Sequence, residues 1–219
     1  MNVVTRICSP LLIILVMVGD AYLPPEIINY IPIDTTSSTQ FATYLGGSDA
    51  DDCDDIAVDA AGFIYLACHC TSKDFPGFTG KKVSDDMDAF VTKFDPRSGK
   101  FIYTTSLSGS KYDGAFTIEV MKDGSVYVGG ITESDDFPTT SDALQSKHGG
   151  KRDVFLAKLK RDGQLEFSTY LGGSGDDVPT GLVVDNNQRI SLAGNTMSED
   201  FPGTRRYDLR EKGVPAKVL

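Results

Sequence analysis

Histidine is scarce in this chain, with only His69 and His148 among 219 residues. Neither lies beside a Ser or Cys in a nucleophile motif, and no G-x-S-x-G, P-loop, H-E-x-x-H or dinucleotide fingerprint occurs. The commonest hydrolase, nucleotide-binding and zinc-protease chemistries therefore have no foothold in the sequence. Carboxylate pairs are plentiful, but nothing selects one pair as a glycosidase couple. Positive charge is also short: 21 Lys and Arg against 31 Asp and Glu give a net charge of −10. Such a surface repels phosphate backbones and excludes nucleic acid as a partner, while it attracts cations. No sustained heptads appear, and 22 Gly with 10 Pro are more than long helices tolerate.

No apolar run is long enough to cross a membrane as a helix. The longest, Ile7 to Gly19, is interrupted only by Ser9 and Pro10. As a helix it would rise about 20 Å, against a hydrocarbon core of roughly 30 Å. Arg6 precedes it, and Gly19-Asp20-Ala21 places small residues around a cut after Ala21. Residues 1–21 read as a secretory signal peptide, the other reading being an uncleaved N-terminal membrane anchor. Residues 22–40 carry three prolines without clean periodicity and read as a linker.

The rest of the chain repeats itself. Thr43-Tyr-Leu-Gly-Gly-Ser48 returns as Thr105-Ser-Leu-Ser-Gly-Ser110 and Thr169-Tyr-Leu-Gly-Gly-Ser174, with spacings of 62 and 64 residues. Ser72-Lys-Asp-Phe-Pro76 returns at 134–138 and 198–202 with the same spacings, and Asp88-Ala-Phe-Val-Thr-Lys-Phe94 returns at 153–159. Three ordered blocks at one period define repeats of about sixty residues, approximately 41–100, 101–164 and 165–203.

Each repeat resolves into four short strands. In the second they are Phe101–Leu107, Ala115–Met121, Ser125–Ile131 and Asp153–Leu159, with Asp123-Gly124 as the turn of the central hairpin. Alternation in Ile56/Val58, Ile118/Val120 and Leu182/Val184 turns one face inward. Small residues in the third strands, Ala67, Gly129, Gly130, Ala193 and Gly194, let neighbouring sheets approach. Four antiparallel strands per repeat describe a blade of a β-propeller; a solenoid of stacked sheets is the alternative geometry.

Tyr-Leu-Gly-Gly-Ser-Gly-Asp-Asp at 170–177, Ser-x-Asp-Phe-Pro at 198–202 and Asp-Ala-Phe-Val-x-Lys at 88–93 resemble the bacterial β-propeller repeat family, the SBBP repeat. The resemblance covers roughly 41–203. It implies an all-β fold of four-stranded propeller blades in a secreted or surface-attached protein, and no common catalytic residue. The fourth strand has two clear copies where the others have three. Residues 204–219 form an irregular or truncated C-terminus in which Pro215 would remove a ladder donor. Three blades are too few to close a ring, so an incomplete ring or a fragment of a longer protein is expected, with self-association through open blade faces as the alternative.

Three features are candidate sites. The acidic turn after each first strand carries Asp49, Asp51, Asp52, Asp54 and Asp55 in the first copy, Asp113 in the second, and Asp176 and Asp177 in the third. Asp49, Asp51 and Asp52 are the calcium candidates, since that ion takes six to eight oxygen ligands; turn capping by short Asp side chains is the competing reading. The Phe of each Asp-Phe-Pro is read as an anchor for the long loop. Cys53, Cys68 and Cys70 are the disulfide candidates, with Cys53 joined to either Cys68 or Cys70, and one thiol left over. Cys68-His69-Cys70 lacks the usual spacing of a zinc site.

The expected function is that of a non-catalytic secreted or cell-surface module, serving as a scaffold or as a binding surface for a protein or glycan. A propeller hydrolase or lyase acting in a complete ring, and a calcium-stabilised structural array, are the alternatives.

Overall fold

The computed structural model describes residues 3–8, 11–16, 39–43, 45–78, 86–185 and 187–203. Every regular element among them is a strand. The cut site after Ala21, most of the linker and the C-terminal segment 204–219 lie outside the described residues. The apolar N-terminal run forms β1 (Val3–Cys8) and β2 (Leu11–Val16), paired antiparallel, and β3 (Thr39–Thr43) joins β2 in parallel. β3 thus begins inside the segment read as linker.

Three antiparallel sheets follow. The first is β4 (Asp51–Val58), β5 (Ile64–Cys70), β6 (Asp88–Asp95) and β7 (Lys100–Ser106), paired in chain order. The second, β8 (Asp113–Val120), β9 (Val126–Thr132), β10 (Asp153–Leu159) and β11 (Leu165–Leu171), is built the same way. The third holds β12 (Asp177–Val184) and β13 (Ile190–Thr196). These are propeller-like blades of four, four and two strands, and the ring is not closed.

Two sequence expectations need correction. Lys100–Ser106 and Leu165–Leu171, read as the first strand of a blade, are instead the outermost strand of the preceding one. A period fixes recurrence but not phase. The phase is set by the tight Asp95–Gly99 turn, where the Gly99 N–H donates to the Asp95 carbonyl at 2.9 Å and folds β7 back onto β6. The acidic stretch 51–55 is no turn: it is the first half of β4, paired with Cys70 to Ala67 of β5. Asp is a poor strand former, but these residues sit at the sheet's end, where their carboxylates reach loop backbone.

The central hairpins turn on glycines in the left-handed region, Gly62 and Gly124 at φ of 84° and 85°, a conformation L side chains rarely hold. The sheets pack face to face through small residues. Ala57, Ala67 and Ala89 of the first sheet share one core cluster with Ile118, Val126 and Val128 of the second. Gly129 leaves room for Leu192 and Pro179 of the third sheet. Tyr127, Leu156, Leu182 and Val184 fill that second junction. Phe75 and Phe137 stack on Phe90 and Phe155, pinning the long loops of the first two blades to β6 and β10.

The third sheet marks where blade packing stops. β5 and β9 are buried along their whole length, flanked by a strand on each side, whereas β13 alternates between exposed and half-buried. Val183 is 61% exposed, while Ala57 at the matching place in the first sheet is 6% exposed. Amide protons of β13 should therefore exchange at least tenfold faster than those of β9 in a hydrogen-exchange experiment on the full chain. Equal protection in the two strands would mean that the edge of β13 is covered.

Candidate functional site

The recurring sequence blocks build a clasp at one end of each blade. The first residue of the inner strand, Asp51, Asp113 or Asp177, turns inward. Its Oδ2 accepts the N–H of Gly47, Gly109 or Gly173 at 2.6, 2.6 and 2.9 Å. The same oxygen accepts the hydroxyl of Ser72, Ser134 or Ser198 at 2.7, 2.9 and 2.8 Å. That hydroxyl in turn accepts the N–H of Asp49, Lys111 or Gly175, each at 2.8 Å. Two residues further on, Asp74, Asp136 or Asp200 takes the N–H of Ser48, Ser110 or Ser174, again at 2.8 Å. The loop backbone passes so close that a Cβ on Gly47, Gly109 or Gly173 would strike the Ser and Asp of the clasp. Hydrogen bonds from Ser48 and Ser110 hold the Asp74 and Asp136 carboxyls below the usual carboxylate range.

This clasp accounts for the acidic candidates. Asp51 is 8% exposed and engaged with Gly47 and Ser72, and Asp49 contributes its backbone N–H to the same network. Asp52 is the next residue on an extended strand, so its side chain leaves on the opposite face. The structure does not bring the three carboxylates to one point. Among the described residues no three His, Cys, Asp or Glu side chains converge as a metal would require.

Of the cysteines, Cys53 and Cys68 are joined across β4 and β5, and Cys70 is a buried free thiol. Burial and the neighbouring Asp51 push the Cys70 thiol well above its ordinary value, so it is a poor nucleophile. The disulfide occupies places held by Ala115 and Gly130 in the second blade, where the chain has only small side chains. The bond closes a separation of 15 residues. Opening it should therefore lower stability by about 3 kcal/mol, read as a drop in melting temperature on adding reductant. No drop would mean that the bond is absent or without constraint.

A different set of residues lines a cavity between the inner strands. β4, β8 and β12 each carry a β-bulge at the same place: the pairing register shifts between Cys53 and Asp55, between Ala115 and Thr117, and between Pro179 and Gly181. Bulges bend a strand and re-aim a side chain. The residues set free are Asp54, Phe116 and Thr180, and all three line one open cleft of about 600 Å³. Asp55, Thr117 and Ser191 supply further polar groups to the wall. Asp55 also ties two blades together, its carboxylate accepting the N–H of Ile118 at 3.0 Å and that of Ile56 at 2.9 Å. Behind the rim, the Asp54 carboxylate lies 3.1 Å from His69 Nδ1, and the His69 ring stands edge-on to Phe116 with centroids 5.6 Å apart.

Sequence reasoning placed Asp54 in an acidic turn and passed over Phe116 and Thr180. The available signal was the chemistry at one repeat position, acid, aromatic and hydroxyl, between neighbours that match more closely.

The clasps also make the fold sensitive to pH. Asp113 is fully buried, its Oδ1 has no hydrogen-bond partner, and burial, with Asp88 nearby, raises its pKa to about 6. A carboxyl raised in the folded state contributes stability below its unfolded value near 3.8, and that contribution is lost as the pH rises through about 6. The full chain should lose on the order of 2 kcal/mol between pH 4 and pH 7.5 from this group. Asp113→Asn, which retains an oxygen for Gly109 and Ser134, should flatten the dependence in a melting series. An unchanged pH profile in that variant would assign the effect elsewhere.

A family model described as a beta-propeller repeat, SBBP, matches residues 40–76 and 166–202. Each match spans an outer strand, the clasp, an inner hairpin and the Phe-Pro anchor. The repeat between them has the same strands and the same clasp. Among curated proteins none matches the chain. The chain carries beta-propeller repeats of the SBBP family.

Proposed function

We propose that the chain is a non-catalytic binding module, secreted or held at the cell surface, which presents the cleft between its inner strands to a protein or glycan. The observation that carries this reading is the division of labour among residues. Those that recur in every repeat are engaged in holding loops and packing blades. The three that differ at one repeat position, Asp54, Phe116 and Thr180, face a common cleft. A volume of about 600 Å³ falls within the range of ligand sites, and its lining mixes apolar surface with a few polar groups. Secretion is supported by the Arg6-led apolar segment with small residues before Ala21, and by a disulfide, which persists in oxidising compartments.

The test has two readouts. The full chain, expressed with a C-terminal tag, should appear outside the cell with a mass that begins at Tyr22. The same material, applied to glycan and peptide arrays, should give ligands whose signal falls at least tenfold in Phe116→Ala. Retention inside the cell would remove the localisation, binding indifferent to that variant would remove the cleft, and turnover of a bound glycan would replace a binding module by an enzyme.

A further inference from the structure

The cleft has a marked charge character. Two carboxylates, Asp54 and Asp55, enter its wall from β4, and no Lys or Arg is among its lining residues. The Asp54 side chain is 37% exposed, so it can meet a ligand without losing its contact with His69. Phe116, half-buried on the facing strand, offers a π-face to the same space. A carboxylate beside an aromatic ring is the combination that holds an organic cation, one by charge and the other by the ring quadrupole. The hydroxyls of Thr117 and Thr180 lie beside it on β8 and β12.

A second feature bears on what carries the cation. Ser191 and Ala193 of the lining belong to β13, and among the described residues no strand pairs with the far edge of β13. Ile190–Thr196 contains neither Pro nor a charged residue, the usual guards of an exposed edge. A free edge offers a row of backbone donors and acceptors that an extended peptide can satisfy, while a sugar chain cannot follow it in register.

Resting on the binding-module reading, we propose that the cleft receives a lysine or arginine side chain from an extended basic segment of a partner protein, whose backbone lies along β13. The fit extends to the whole molecule, since a net charge of −10 draws basic partners in before contact.

The experiment is titration calorimetry of the full chain at 150 mM salt with hexa-arginine, hexacitrulline and a hexamer of glucosamine. Citrulline keeps the shape of arginine and removes its charge. The expected result is binding of hexa-arginine alone, weakened at least tenfold by Asp54→Asn and by Phe116→Ala. Asp142→Asn should leave it unchanged, because that exposed carboxylate sits on the loop tied to outer strand β11 through Thr140 and Ser168. Equal loss in Asp142→Asn would reduce the effect to diffuse attraction and overturn the inference. Equal binding of hexacitrulline that still depends on Phe116 would overturn the cationic ligand while the binding module stands. Tighter binding of the glucosamine hexamer would overturn the peptide. If array ligands and hexa-arginine are all indifferent to Phe116→Ala, the cleft itself is lost, and the reading of function with it.

Discussion

Everything in this fold hangs on one buried carboxylate per blade, the aspartate that opens the inner strand. Asp51, Asp113 and Asp177 each take a glycine N–H and a serine hydroxyl on a single oxygen, and so fix two loops that are far apart in the chain. A charge-assisted bond of this kind is stronger in a dry environment than in water. The cost is the other oxygen: Oδ1 is buried without a hydrogen-bond partner in all three residues. That cost appears as the raised pKa of Asp113, with desolvation outweighing the hydrogen bonds. A clasp made this way holds the loop rigidly, and it leaves blade packing sensitive to the protonation of its own fastener.

The clasp also explains the phase of the repeat. The tight Asp95–Gly99 turn sends each outer strand back onto its own blade, and the chain then crosses to the next blade through the Gly-Ser loop that the clasp secures. Each sequence repeat is therefore shared between two blades, which couples neighbours covalently as well as by packing. The same offset gives the first outer-strand motif, at Thr39–Thr43, no blade before it, and in the structure it pairs with β2 instead.

The fold was largely legible in the sequence because its determinants are local and repeated three times. Gly-Gly-Ser, Ser-x-Asp-Phe-Pro and the alternating strands announce the blade without reference to distant contacts. What could not be read is what depends on pairing. The assignment of Lys100–Ser106 to the preceding sheet rests on hydrogen bonds that no period encodes. The choice of Cys68 over Cys70 for Cys53 follows from register, since Cys53 stands opposite Cys68 while Cys70 faces Asp51. The cleft was hidden for a related reason: Phe116 reads as one more hydrophobic residue of Ala115–Met121 until the bulge turns it out of the ladder.

Those bulges separate the part of the molecule that must recur from the part that need not. A side chain in the regular ladder faces a neighbouring blade and is held to the small or apolar types that pack there, as Ala67 and Gly129 show. A bulged residue escapes that demand, because it faces the space between the inner strands and not another sheet. Its identity can therefore differ from blade to blade without disturbing the fold, as Asp54, Phe116 and Thr180 do. A repeated scaffold that places one unconstrained residue per blade around a common cleft can change its ligand by substitution at those positions alone. Stability is written in the residues the repeats share, and specificity in the single position where they part.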